Sequence, residues 1–293
     1  MTNSLDEFND ILSPDESLAQ HTWLKLGGNA ERFYTPTSRD QLLALIRACV
    51  AAAVPVRVFG SGSNLLVHDG VVSGAVIRIV EPLLGEVKVS GDTVTAGGGA
   101  LLSHVVSESV RAGLAGLENL VGIPGTVGGA VVGNAGGRHA DIGEFVRKIE
   151  VVTHEGEIAE RSGDELTFAY RSSNVTDLAV LSVTLQLRPD DSDDLTVRMK
   201  KIWIIKRSTQ PLADQSAGCI FRNPRGLSAG ALIEQCGLKD LAVGGARISD
   251  RHANFVVTGP GATSADVESL IGKVKVAVAE KFGVELELEI RKW

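Results

Sequence analysis

The chain has 293 residues, 44% hydrophobic and 22% charged, with 29 Lys and Arg against 36 Asp and Glu, for a net charge of −7. Only 4% is aromatic and the balance is acidic, which excludes a stacking platform or a basic footprint for nucleic acid. No apolar run reaches the roughly 18 residues of a membrane helix, and the first residues lack the basic and apolar regions of a signal peptide. Three cysteines (Cys49, Cys219, Cys236) make no disulfide framework, so the expectation is a soluble, cytoplasmic, reduced protein.

Residues 1–20 read as acidic and loosely ordered. Helical periodicity runs from Asp40 to Val54, with Ser38 or Asp40 as N-cap and Pro55 as the stop. VRVF (56–59) reads as a buried strand entering GSGSN (60–64), and 75–80 as another strand. Residues 86–96 form a hairpin turning at Gly91-Asp92, and Ala100 to Arg111 a helix closed by Gly113. A second hairpin spans 149–160 around Glu155-Gly156, followed by a strand at 180–187. The acidic stretch 188–196 marks a domain boundary. Beyond it come helices at Leu195–Arg207, Ser228–Gln235 and Ser264–Lys281, the last introduced by Thr263 with Asp266 three residues on. ELELEIRKW (285–293) alternates as a strand, with Glu285, Glu287 and Glu289 on one face. The expected division is a flexible segment 1–20, a domain 21–190 split near residue 70, and a domain 191–293.

Glycine is the compositional outlier. The chain has 33, of which 19 lie between Gly60 and Gly143 and seven between Gly122 and Gly137. Such density means tight turns or a backbone cradle for a phosphate-bearing cofactor. Gly60-Ser61-Gly62-Ser63-Asn64 lacks the Lys-Ser/Thr of a P-loop and the spacing of a Rossmann turn, and is by itself compatible with a plain turn. In Gly122-Ile123-Pro124-Gly125-Thr126-Val127-Gly128-Gly129, running on to Asn134 and Gly136, the glycines read as freeing amides for one ligand, with Asn134 as a side-chain donor. Arg171 in FAYRSS (168–173) is either a carboxylate clamp or a surface arginine on a strand edge. Cys219 in SAGCIFRNP (216–224) is either a site residue or a small buried hydrophobe. The histidines and cysteines show no metal-ligand spacing, so no metal is expected.

Taken in order, these segments resemble the UDP-N-acetylenolpyruvoylglucosamine reductase family, flavoenzymes of peptidoglycan precursor synthesis. The resemblance covers nearly the whole chain: His21-Thr22-Trp23 with Gly27-Gly28, GSGSNLLVHDG, GLENLVGIPGTVGGAVVGNAG, FAYRSS, KRSTQP, SAGCIFRNP, AGALIEQCGLK, GGARISDRHANFVV and FGVELELEIR. It implies an α+β protein with an FAD-binding fold of the vanillyl-alcohol-oxidase (PCMH) type in two α/β subdomains, plus a C-terminal α+β substrate domain. The only tyrosines are Tyr34 and Tyr170, and neither lies between Arg171 and Lys206, where the longer subtype of the family carries one. The chain therefore resembles the shorter subtype.

The implied reaction has two halves: NADPH reduces non-covalent FAD, and flavin N5 then gives hydride to the enolpyruvyl methylene of a nucleotide-sugar substrate. The adjacent carbon, left as an enediolate-like carbanion, must be protonated. The resemblance assigns Arg171 and Glu289 to the substrate carboxylate. It puts Cys219, where the family usually has serine, at the proton donor. It assigns Gly60, Ser61, Gly62, Ser63, Asn64, Leu65, Gly122, Pro124, Gly125, Thr126, Gly128, Gly129, Asn134 and Gly136 to the cofactor. Tyr170, Gln210, Arg222 and Asn223 fall to the substrate, with Arg207 in support. His68 and His139 are the candidates for covalent flavin attachment, and no bond is expected. No protein, membrane or nucleic-acid partner is implied. The rival readings are another oxidoreductase on the same fold, a non-catalytic flavin protein in which Cys219 marks decay, and a structural or regulatory module.

Overall fold

The structure, a computed structural model, describes residues 5–137 and 140–293. Its contacts divide the chain into two units, neither of them continuous: one holds the chain up to Asp15, Glu31–Ser61 and Ser73–Ile204, the other Glu16–Ala30, Gly62–Val72 and Ile205–Trp293. Two short N-terminal segments thus group with the C-terminal part, where the sequence suggests a segment 1–20, a domain 21–190 split near residue 70, and a domain 191–293.

The chain opens with a 3-10 turn at Asp6–Ile11 and strand β1 (Leu12–Ser17). Phe8, Ile11 and Leu18 are buried, so this segment is packed rather than loose. After β2 (Asn29–Tyr34), helix α1 (Arg39–Ala51) starts where Ser38 Oγ accepts from Gln41 N at 3.2 Å, which makes Ser38 the N-cap. Strands β3 (Val56–Phe59), β4 (Leu65–Leu66) and β5 (Val72–Arg78) follow. Then comes the hairpin β6 (Val87–Ser90) and β7 (Thr93–Gly97), turning on Gly91 at φ +60°. Helix α2 (Leu102–Arg111) leads through β8 (Leu114–Ala115) to the short helix α3 (Val127–Val132). Strands β9 (Val146–Val152), β10 (Ile158–Ser162), β11 (Phe168–Ala169), β12 (Ser172–Ser173), β13 (Ala179–Gln186) and β14 (Arg188–Pro189) precede α4 (Ser192–Thr209).

In the first unit, β1-β2-β5-β3 form one sheet with β3 and β5 parallel, Val56 opposite Ala75 and Phe59 opposite Arg78. Leu42, Leu45, Ile46 and Cys49 of α1 pack against Ala75 and Ile77. Arg39 makes a bidentate ion pair with Glu150, at 2.8 and 2.7 Å. The second sheet, β10-β9-β13-β7-β6, is antiparallel. Its apolar face (Val94, Ile149, Val151, Val183, Leu185) joins Leu102, Val105 and Val106 of α2 and Val127 and Val131 of α3 in a core. The strand period of two and helix period near four put these residues on facing sides.

The second unit contains β15 (Gln215–Cys219), α5 (Ala229–Gln235), β16 (Ala242–Val243), β17 (Ala246–Ile248), β18 (Phe255–Thr258), α6 (Ser264–Phe282) and β19 (Arg291–Lys292). Its antiparallel sheet runs β15-β18-β17-β16. Leu24, Leu26 and Leu66 complete the core formed with Ile233, Val267, Leu270, Val274 and Val278. Helix α6 begins at the expected capping box, Thr263 with Asp266, and ends at Gly283 in the left-handed region. Asp69 also caps it, accepting from Ser264 N at 3.0 Å and Ala265 N at 3.2 Å.

Residues 285–293 are not the single strand that their alternation suggests. The chain changes partners midway: Arg222 N donates to Glu287 O and Glu289 N to Ile220 O, then Arg291 N donates to Asn64 O and Trp293 N to Leu66 O. Only Arg291–Lys292, parallel to Leu65–Leu66, forms strand. Glu285 and Glu287 are exposed while Glu289 is half-buried, so the three do not share one environment. No helix of the described residues is long and apolar enough to cross a membrane.

Candidate active site

Gly60 is the point where two of the glycine motifs meet. A Cβ there would stand 2.2 Å from Thr126 Oγ1, so only glycine lets the loop after β3 lie against residues 122–129. Thr126 is the N-cap of α3. Residues around it are laced to the Gly97–Ala100 turn through Val127 N to Ala100 O at 2.9 Å and Gly128 N to Gly98 O at 2.9 Å. Packing therefore uses several glycines that the sequence suggests are there for a ligand. A Cβ on Gly128 would lie 3.0 Å from Gly98 O, one on Gly136 would overlap Asp141, and Gly122 and Gly125 have φ of +76° and +123°.

Two polar atoms at this end of the first unit have no hydrogen-bond partner among the described residues although they are buried: Ser61 Oγ and Arg78 Nε. Buried polar groups are nearly always satisfied. Burial, with no carboxylate to offset it, holds the Arg78 guanidinium below the ordinary arginine range. Ser61 follows β3, and Arg78 ends β5 opposite Phe59. A hydroxyl and a guanidinium N–H with unmet bonds suit an acceptor-rich group such as the diphosphate or flavin carbonyls of FAD, so these residues fit that cofactor. Sequence reasoning missed Arg78; its signal is one arginine in the otherwise apolar run AVIRIV.

The rest of the GSGSN motif falls in the second unit. Gly62 has φ +65° and its carbonyl accepts from Trp23 N at 3.2 Å. Ser63 follows, and Asn64 Nδ2 donates to Glu289 O at 3.2 Å. Leu65 pairs with Arg291. His68 is exposed, and its Nδ1 accepts from Gly70 N at 2.9 Å. His139 lies outside the described residues.

Tyr170 and Arg171 form the turn of the β11–β12 hairpin, with Arg171 in the left-handed region at φ +54°. Its Nη2 donates to Gly136 O at 2.9 Å and its Nη1 to Asp141 Oδ1 at 3.1 Å, while the guanidinium lies 5.1 Å from the Tyr170 ring centroid. Arg171 is thus a held cation rather than a surface arginine on a strand edge. Asn134, 3% exposed, holds the hairpin: Nδ2 donates to Ala169 O at 2.8 Å and Oδ1 accepts from Gly143 N at 2.9 Å. Half of the carboxamide's bonding capacity is used inside the protein; the sequence suggests a donor to the cofactor. Pro124 and Gly129 stay in the loop and first turn around Thr126.

In the second unit the ladder of β15 with β18 shifts register between Ser216 and Cys219, with Gly218 at φ +76°. Cys219 lies opposite Phe255, and the following residue, Ile220, accepts at its carbonyl from Glu289 N at 2.8 Å. The segments carrying Cys219 and Glu289 are therefore joined by a backbone hydrogen bond. Arg222 lies 3.8 Å from Glu287. Asn223 Oδ1 accepts from Ala229 N at 3.0 Å, joining Ser228 at the start of α5. Gln210 follows α4, its N–H donating to Lys206 O. Among the described residues no group of three His, Cys, Asp or Glu could hold a metal ion.

Comparison with known proteins agrees with this arrangement. Residues 30–162 match the FAD binding domain family. Joined to the glycine loops and the unsatisfied polar atoms beside them, that match defines an FAD-dependent oxidoreductase with an α+β fold and an FAD-binding unit. Residues 210–293 match the UDP-N-acetylenolpyruvoylglucosamine reductase C-terminal domain. The chain is 41% identical to a UDP-N-acetylenolpyruvoylglucosamine reductase of Heliobacterium modesticaldum, over 99% of this chain and 93% of that protein. It is 40% identical to that of Paramagnetospirillum magneticum, over 96% and 91%. The crystal structure of the Thermus caldophilus enzyme superposes with a TM-score of 0.82 at 36% identity, covering 96% of this chain and 98% of that one. The chain belongs to the UDP-N-acetylenolpyruvoylglucosamine reductase family.

Proposed function

We propose that this chain reduces UDP-N-acetylglucosamine enolpyruvate to UDP-N-acetylmuramate in peptidoglycan precursor synthesis, acting in the cytoplasm with NADPH as donor. The observation that carries the reading is the backbone hydrogen bond joining the segments that carry Cys219 and Glu289, together with the held cation at Arg171. FAD, bound non-covalently, supplies a hydride carrier between NADPH and the enolpyruvyl methylene carbon. Gly60, Ser61, Thr126 and Arg78 are the groups that would hold it.

Hydride addition to the methylene carbon leaves negative charge on the adjacent carbon and the attached carboxylate. Arg171 stabilises that charge, and its restraint by Gly136 O and Asp141 means little reorganisation is needed when charge develops. Glu289, acting as the protonated carboxyl, donates a hydrogen bond to the same carboxylate. The Cys219 thiol donates the proton that completes the lactyl ether. A thiol, with an ordinary pKa near 8.5, is more acidic than the family's usual serine hydroxyl. Arg222 and Asn223 face the nucleotide-sugar portion, with Tyr170 and Gln210 in support.

The test is anaerobic and uses the flavin-loaded protein. NADPH bleaches absorbance near 450 nm, and addition of the enolpyruvyl nucleotide restores it. Cys219→Ala is expected to slow that restoration by about 10²–10⁴-fold, the usual worth of a general acid, while Cys219→Ser retains it. Normal reoxidation of the alanine variant would remove Cys219 from the mechanism, and reduction by NADPH without reoxidation would point to another acceptor.

A further inference from the structure

We infer that Asn254 is a positioning residue that sets the register between Cys219 and Glu289; this rests on the roles proposed above for those two groups. Asn254 is 3% exposed and sits on the turn that leads into β18, where Phe255 N donates to His252 O at 2.9 Å. The β15–β18 ladder ends at Cys219 opposite Phe255. Past that point the chain carrying Asn254 turns away, and the Asn254 side chain replaces the missing backbone rung. Its Oδ1 accepts from Phe221 N at 3.0 Å, and its Nδ2 donates to Phe221 O at 2.8 Å. Its own carbonyl accepts from Ile220 N at 2.9 Å.

The opposite edge of residues 220–222 is bonded just as fully. Ile220 O accepts from Glu289 N at 2.8 Å and Glu287 O from Arg222 N at 2.9 Å. Residues 220–222 are therefore a middle segment, with Asn254 on one side and the segment carrying Glu289 on the other. Cys219 immediately precedes it. Phe221 is 2% exposed, so its N–H and C=O have no water to turn to if the carboxamide is removed, and leaving them unmet is costly. The segment must then shift, carrying with it the neighbouring Cys219 and the bond from Glu289 N to Ile220 O. Gly230 of α5 packs against the same turn: a Cβ there would lie 3.1 Å from the His252 ring.

Among the ordinary side chains of this length, asparagine alone presents one donor and one acceptor at all pH values. Aspartate reproduces that pair only when protonated, which gives the test its pH readout. The ionisable groups on the surrounding elements are Glu234 and Lys239 at the end of α5, and Asp250, Arg251 and His252 on the turn. Cys219 ends β15, Arg222 lies on the middle segment, and Glu287 and Glu289 lie on the far edge. His252 Nδ1 accepts from Asn254 N at 3.2 Å, so a carboxylate at position 254 would shift its titration too, and the aspartate comparison is therefore made with His252→Gln in both parent and variant.

The experiment uses the full-length, flavin-loaded protein with two readouts. One is the anaerobic flavin reaction, followed separately as reduction by NADPH and reoxidation by the enolpyruvyl nucleotide. The other is the rate of Cys219 alkylation by iodoacetamide, resolved by mass spectrometry, which does not depend on the proposed reaction. Asn254→Ala is expected to leave NADPH reduction within about twofold, to slow reoxidation about 100-fold, as misplacement by about 1 Å does, and to change Cys219 alkylation about tenfold. For Asn254→Asp the variant-to-parent ratio of both readouts should return toward one as pH falls from 8 to 6. The inference is overturned if the alanine variant matches the parent in reoxidation and alkylation. Equal loss of both half-reactions together with thermal stability would overturn it too, as would an aspartate ratio flat with pH. If the parent's flavin is not reoxidised by the nucleotide, the proposed function fails, and the alkylation rates alone decide the role of Asn254.

Discussion

Gly60→Ala tests the contact on which the cofactor loop depends. The new Cβ would lie 2.2 Å from Thr126 Oγ1, 2.8 Å from Cγ2 and 3.1 Å from Cβ, against a favourable separation of about 3.5–4.0 Å for carbon pairs. Thr126 is 3% exposed and branched at Cβ, so rotating it exchanges one clash for another. Overpacking of this kind costs about 1–3 kcal/mol. Losing the Thr126 cap over Gly129 adds about 1 kcal/mol. The sum, about 2–4 kcal/mol, lowers the melting midpoint by roughly 3–7 °C for a chain of this size. The same shift displaces Ser61, so flavin retention should fall with stability. Differential scanning calorimetry of the flavin-free protein and the ratio of absorbance at 450 nm to that at 280 nm give the two readings. A variant that melts within about 1 °C of the parent and purifies fully yellow would refute the argument that glycine is required there.

Three further outcomes follow from the same structure. Gly272→Ala, in the middle of α6 with nothing within 4 Å of the added Cβ, should stabilise by about 0.5–1 kcal/mol; a lower denaturation midpoint would contradict it. Burial pushes the Cys49 thiol up to about 11, so at pH 8 about one molecule in a thousand carries the reactive thiolate. Iodoacetamide should label Cys49 only after denaturant is added, and labelling of the native protein at the rate of Cys236 would count against that burial. Burial also lowers the His252 pKa below 6.5. In the window below 6.5 the unfolded chain binds the proton first, so the contribution of this group to stability is full above about pH 6.5 and is lost as pH falls toward the folded value. His252→Gln should flatten the decline of unfolding free energy between pH 6.5 and 5, and an unchanged slope would exclude His252 as its source.

Elements specified by local signals were legible in the sequence. Ser38 and the Thr263–Asp266 box start their helices as the residue types suggest, and Gly91-Asp92 turns its hairpin. What escaped was decided by distant partners. Phe8, Ile11 and Leu18 are buried by contacts that an acidic local composition does not reveal. Residues 285–293 alternate like one strand but answer to two different partners, first 220–222 and then 64–66. The candidate site divides the same way. Arg171, Cys219 and Glu289 were visible through their motifs, but Asp141 and Gly136 O, which hold Arg171, were not. Three carboxamides assigned to a ligand also bond to the protein itself: Asn64 Nδ2 to Glu289 O, Asn134 Nδ2 to Ala169 O, and Asn223 Oδ1 to Ala229 N. A carboxamide in a glycine-rich loop suits a ligand or the backbone equally well, and only the fold distinguishes them.

The pairing of β4 with β19 has a consequence for the order of events during synthesis. Leu65 and Leu66 find their strand partners at Arg291 and Lys292, so this ladder cannot form until nearly the whole chain has been made. Leu24, Leu26 and Leu66 must wait equally long for the C-terminal residues that bury them. Contacts of such sequence separation form slowly, and in the interval these leucines are exposed on a nascent chain whose other sheets, β9 with β10 and β6 with β7, can already close. Such an intermediate presents apolar surface to other molecules. Chaperone capture and inclusion-body formation should therefore respond more strongly to polar substitution at Leu24 or Leu66 than at equally buried positions in α1. Residues 205–293 made alone lack these leucines and the Asp69 cap, and should be recovered as an aggregating fragment rather than a folded domain.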